Sequence, residues 1–228
     1  MGSTIFDKGF KPGHPLRFAR FASLTTITAL VCCFVLYLAV TAFSEAFVND
    51  QFPETLAIKL ERWPILFPVH MLAGALALLL IPLAIVARKR PALHRTLGRI
   101  AVIDVSIAGF TAFPVAWVAP ISPWSAAGFI AQAAAWMTLL ALGIWHIKHG
   151  RREQHRACML LVAAITSGAI FFRIYLALWA MLGDQRHFSA FYALDAWIAW
   201  LGPLTVTALM LERHRRLSHH GIDGMRSI

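Results

Sequence analysis

The sequence predicts an all-α fold: a polytopic transmembrane bundle of six helices with both termini in the cytoplasm. Three observations point there. Hydrophobic residues make up 59% of the 228-residue chain and charged residues 14%, with a mean hydropathy of +0.66. An average soluble domain is about 45–50% apolar and about 25% charged, and a disordered chain is poor in apolar residues. Second, the apolar residues fall in runs near the roughly 20 residues that a spanning helix needs. Third, the basic residues fall between those runs, on alternate segments.

The runs are 21–47, 65–87, 100–118, 126–147, 157–182 and 189–211. The third is the shortest and holds Pro114, which is expected to kink it. The chain then divides into a cytoplasmic segment 1–20, a transmembrane domain 21–212 and a basic cytoplasmic tail 213–228. The first run exceeds the 7–15 residues of a signal-peptide core, so it reads as an uncleaved first helix.

Orientation follows from the loops. One set carries Lys8, Lys11, Arg17, Arg20, the stretch from Arg88 to Arg99, the stretch from Lys148 to Arg156, and Arg213, Arg215, Arg216 and Arg226. The opposite set carries Lys59, Arg62 and Arg186. That asymmetry places the first set inside. The net charge of +10 is therefore a matter of topology and anionic lipid at the cytoplasmic face, with no nucleic-acid partner. Trp63, Trp117 and Trp124 fall at the expected outer ends. Cys32, Cys33 and Cys158 have no CxxC spacing and read as small packing residues.

An R-x-x-x-H-R motif ends at His94-Arg95 and recurs ending at His155-Arg156, each copy leading into an outgoing helix. It makes helices two-three and four-five candidate related hairpins. Ala127, Ala131 and Ala135 form a small-residue seam on helix four.

Ionisable side chains inside a bilayer cost roughly 2.5–3.5 kcal/mol each on the insertion scale, so they mark structure or function. His70, Arg173 and Asp195, on helices two, five and six, share one depth in the outer leaflet. Glu45 and Gln132 lie close to that level. Two readings stand side by side. Arg173 and Asp195 form an ion pair that lets their helices insert, with His70 bonded to a carbonyl. Alternatively, the five residues line a polar pocket open to the outer side, for a quinone head, a proton or a small polar substrate.

A second group lies toward the cytoplasmic face: His94, Arg95, Arg99, Asp104, His146, His149, His155 and Arg156. Topology and headgroup contact explain it without chemistry. A haem held by His94 or His155 against His146 is a second reading. An anion or ligand site built from His94, Arg95, Arg99, Asp104, His155 and Arg156 is a third. The sequence holds no P-loop, HExxH, G-x-S-x-G or dinucleotide fingerprint.

The stretches from His70 to Gly74, from Arg90 to Arg99 and from His155 to Met159, followed by Arg173, Trp197, Trp200 and Glu212, resemble the bacterial family of multi-pass membrane proteins called domain of unknown function 2306. Cys158 and Leu161 depart from it, standing where the family pattern has Trp and a second Arg. The resemblance implies a membrane fold and candidate positions, and it carries no activity. A looser fold-level likeness is to cytochrome b561-like bundles.

The leading functional expectation is haem- or quinone-linked membrane electron transfer, by the chain itself or as a subunit of a redox complex. Haem b or a quinone would be the cofactor. The alternatives are a small-solute transporter or channel with an outward-facing pocket, and an accessory subunit with no chemistry of its own. The expected surroundings are a bacterial inner membrane and a larger complex or homo-oligomer.

Overall fold

The computed structural model describes Tyr37, residues 54–118 and residues 120–226. The first expected span, 21–47, and with it Glu45, lie outside the described residues apart from Tyr37, which is helical. The described residues are helical, with no strand among them. In chain order they form α1 Glu54–Arg62, α2 Leu66–Val86, α3 Pro91–Trp117, α4 Pro123–Lys148, α5 Arg152–Leu182 and α6 Phe188–Arg226. Five of these, α2 to α6, are long and apolar enough to cross a bilayer.

Local chemistry sets the boundaries. Pro91 and Pro123 occupy the first turns of α3 and α4, where a missing N–H costs nothing. Ser122 caps α4 in a reciprocal box with Ser125, each backbone N–H donating to the other's hydroxyl at 3.1 Å. The α4–α5 turn is a Schellman motif. Arg151 N–H reaches His146 O at 2.9 Å and Gly150 N–H reaches Ile147 O at 3.2 Å. It needs Gly150 at φ 73°, a left-handed conformation that side chains other than glycine rarely take.

The helices outrun the apolar runs at the basic end. α3 begins at Pro91 rather than 100, and α5 at Arg152 rather than 157. α6 continues without a break through Glu212, so the expected tail is helical to Arg226. Hydropathy marks where lipid begins. It does not mark where backbone hydrogen bonding stops. Pro114 falls in the last turn of α3, which ends three residues later at Trp117. The sequence reading assigns no helix at α1, because nine residues are too short for a hydropathy signal.

Successive spans pack as antiparallel neighbours: α2 on α3, α3 on α4, α4 on α5 and α5 on α6, with α4 also against α6. In lipid there is no apolar driving force between helices, so close packing of small residues must hold them. Much of the buried wall is alanine, including Ala73, Ala77, Ala108, Ala133, Ala196 and Ala199. Two glycines sit where one helix presses close to the backbone of another. A Cβ on Gly128 of α4 would meet Ala196 O at 2.8 Å, and one on Gly168 of α5 would meet Trp200 Cβ at 2.8 Å. Ala127, Ala131 and Ala135 are only half-buried, so the α4 seam runs through Gly128 instead. Toward the basic end Ala77, Ile81, Val105, Leu140 and Val162 close into a dry core contributed by α2 to α5. Ile65, Val86, Phe110 and Leu182 face outward, as lipid-facing side chains must.

The two hairpins share a device. His94, the fourth residue of α3, donates from Nδ1 to Ala84 O on α2 at 2.8 Å. His155, the fourth residue of α5, donates from Nδ1 to Gly143 O on α4 at 2.9 Å. The repeated motif therefore places an imidazole clamp across each hairpin. The carbonyl that accepts sits, in both, toward the basic end of the incoming helix.

Candidate functional site

Beyond the dry core, toward the end opposite the basic loops, the helices part around a cavity of about 270 Å³. All five spans line it, together with Lys59 of α1 and Pro120 and Ile121 of the α3–α4 loop. Its body is apolar and aromatic. Phe129, Phe172 and Tyr192 stack edge to face, with centroids 5.3 to 6.0 Å apart, an arrangement favoured by ring quadrupoles.

Polar groups enter this wall at defined points. His70, one turn into α2, donates from Nδ1 toward Ala108 O at 3.1 Å and Thr111 Oγ1 at 3.2 Å. In a neutral ring that leaves Nε2 as an acceptor. Arg173 donates from Nη1 to Ala169 O at 2.9 Å, one turn back on α5. Both residues line the cavity. Gln132 lines it from α4, with Nε2 directed at Ile165 O at 3.4 Å. Trp136 donates to the Thr166 hydroxyl at 3.0 Å, and that hydroxyl donates to Val162 O at 2.8 Å.

The sequence marks Lys59 only as an outer-loop charge. In the fold it tethers α1. Its ammonium donates to Val115 O at 2.7 Å and to Val118 O, carbonyls at the C-terminal end of α3. A cation there also complements the helix dipole. Partial burial holds this ammonium below its ordinary value of 10.5. Lys59, Trp136, Thr166 and Tyr192 are among the lining residues that sequence reasoning missed. Hydropathy has no power to pick them out of apolar or loop sequence.

The expected outer-leaflet group is thus partly assembled. His70, Arg173 and Gln132 meet in one cavity, and Asp195 is not among its lining residues. Asp195 is fully buried on α6, and neither carboxylate oxygen has a hydrogen-bond partner among the described residues. The crossing of Gly168 with Trp200 fixes the antiparallel register of α5 and α6. Counting five residues on and five back brings Arg173 and Asp195 level with each other. They nonetheless do not pair with one another; the ion pairs between described residues are Asp184–His187 and Glu212–Arg216.

The expected cytoplasmic-face group is dispersed. Arg95, Arg99 and Arg156 are exposed, and Arg95 Nε donates to Pro91 O on its own helix. His94 and His155 are the hairpin clamps. Asp104 lies midway along α3, about 20 Å from either end at 1.5 Å per residue. It is buried, and its Oδ2 has no partner among the described residues. His146 leaves a buried Nδ1 likewise without a partner near the end of α4. No group of three or more His, Cys, Asp or Glu side chains suited to a metal ion occurs among the described residues.

Five long apolar helices packed through small residues around a partly polar cavity define a polytopic helical membrane protein. Residues 67–211 match the family model described as a predicted membrane protein, DUF2306. The chain belongs to that family, as the motifs at His70, Arg90 to Arg99 and His155 implied. No curated protein and no solved structure matches it.

Proposed function

We propose that the chain binds a small amphiphilic molecule within the membrane, through an oxygen-bearing head group, and that a quinone is the occupant. The observation that carries the reading is the composition of the cavity wall. An aromatic and alanine-lined body stands beside His70, Gln132, Arg173 and Lys59. Binding pockets for small molecules combine an apolar surround with a few placed polar groups in this way. Arg173 offers a fork of donors for quinone oxygens or a negative charge developing on them, and His70 offers an acceptor nitrogen for a hydroxyl of the reduced form.

In this reading the protein serves membrane electron transfer as a quinone-binding component. The arginine-rich end faces the cytoplasm, and the membrane is a bacterial inner membrane. The loop charges support that orientation. Exposed Arg88, Arg90, Arg95, Arg99 and Arg152 then meet anionic headgroups.

The test is fluorescence quenching of the detergent-purified protein by a short-chain ubiquinone analogue. Saturable quenching is expected. It should lose its Trp136 component in Trp136→Phe and weaken about tenfold in Arg173→Ala, a change of about 1.4 kcal/mol. Quenching that is linear in added quinone and equal in all three proteins would refute the site.

A further inference from the structure

We propose that Lys59 is a second anchor for the bound head group, and that it selects a reduced head held as its monoanion, with a hydroxyl on His70 and an oxyanion at Lys59. The inference rests on the cavity being a quinone site, as argued above.

Lys59 belongs to none of the five spans, yet its side chain forms part of the cavity wall. It is half-buried, and its ammonium bonds to Val115 O and Val118 O of α3. Both partners are neutral carbonyls. An ammonium carries three donors, so one N–H is left for an occupant. Neither partner carries a negative charge to cancel its own. Attraction between opposite charges strengthens as water is excluded, which favours an anion at this place.

The bonds made to α3 set the spacing. His70 is tied at Ala108 and Thr111, and Lys59 at Val115 and Val118. At about 1.5 Å per residue the two levels lie roughly 10 Å apart along the helix. A six-membered ring with oxygens at opposite corners, each in a hydrogen bond of about 2.8 Å, spans a comparable length. The inner end presents an acceptor nitrogen, which calls for an O–H. The outer end presents a charged donor, which bonds most strongly to an oxygen that has lost its proton. Together they describe the monoanion of a para-quinol, the reduced partner of the quinone.

The elements around the mouth supply cations and no acid. α2 has no titratable side chain before His70, and α4 none before His146. α3 has none beyond Asp104, and the α3–α4 loop has none. On α1, Glu61 and Arg62 are exposed. α5 and α6 bring Arg173 and Tyr192 to the wall, and no Asp or Glu is among the described lining residues.

The probe is a 5-alkyl-2-nitrohydroquinone. The hydroxyl beside its nitro group changes the visible spectrum on ionising, while the opposite hydroxyl keeps its proton. It is titrated with pH on the full-length protein in detergent, without oxygen, and tryptophan quenching reports binding. Empty micelles of the same detergent are the reference. In the parent the bound probe is expected to ionise about one pH unit below its midpoint in empty micelles, a tenfold preference for the anion. Lys59→Gln keeps a donor for the α3 carbonyls and removes the charge. It is expected to bind the probe and return the midpoint to the micelle value. The methyl ether of the acidic hydroxyl cannot ionise, and it is expected to bind the parent and Lys59→Gln alike. A parent midpoint at or above the micelle value overturns the anchor, and that reading needs no variant to fold. A low midpoint that persists in Lys59→Gln overturns it too. Both results leave the binding site standing. Absence of quenching by probe and ether in the parent overturns the site and the anchor together.

Discussion

The imidazole of His70 on α2 reaches across to α3 and donates from Nδ1 to the carbonyl of Ala108, 3.1 Å away. That contact ties two spans together at the level of the cavity and aims the other ring nitrogen away from the tie. His70→Ala should therefore cost both stability and affinity. A loss of about 1 kcal/mol in unfolding free energy is expected from the hydrogen bond. A roughly tenfold weaker response to the reduced, quinol form is expected from the lost acceptor. Thermal unfolding and fluorescence titration on one preparation check both.

The glycines divide into two kinds. Gly128 abuts the backbone at Ala196 O, which has no freedom to retreat. Gly128→Val should destabilise by about 1–3 kcal/mol, the ordinary cost of overpacking. Gly74 lines the cavity, and a Cβ placed on it would have nothing within 4 Å. Gly74→Leu should fold normally and abolish probe binding by filling the space. Melting curves paired with binding curves separate these effects.

The hairpin clamps should act independently. His94→Ala and His155→Ala each remove one imidazole-to-carbonyl bond, at a cost of about 1 kcal/mol apiece. The clamps sit on different hairpins and share no partner, so the double variant should show the sum of the two. A double-mutant cycle in a mild denaturing detergent measures it.

Lys59 should make stability rise with alkalinity. Burial lowers the affinity of this ammonium for its proton in the folded protein. The unfolded chain then binds more protons between the lowered folded value and 10.5, so unfolding becomes less favourable as pH rises through that window. Lys59→Met should remove that portion of the slope. Melting temperatures of the two proteins across alkaline pH check the sign.

Spans α2 to α6 were legible because bilayer thickness imposes length and hydropathy on the sequence, and the basic loops registered as strongly. The site was legible only in outline. His70, Arg173 and Asp195 could be placed on one level by counting residues, with Gln132 close to it, since helical rise converts sequence number into depth. Counting fixes depth and leaves rotation about the helix axis open. Arg173 and Asp195 are level, yet one lines the cavity and the other is enclosed behind it. By sequence Asp104 groups with the arginines of the basic end, because the apolar run starts at 100. The backbone of α3 starts at Pro91, and it carries Asp104 to the middle of the helix. The tether at Lys59 was hidden because a short helix between spans has no hydropathy signature.

The central claim is that a quinone-sized molecule occupies the space between α2 and α6. Photocrosslinking tests it most directly, using a photoreactive short-chain ubiquinone on the protein in lipid nanodiscs, followed by peptide mapping. The account predicts adducts on the cavity-facing residues of α4 and α5, around Phe129 to Ala133 and Ala169 to Arg173, suppressed by excess unlabelled quinone. Adducts confined to outward residues such as Phe110 and Leu182, and indifferent to competitor, would contradict it.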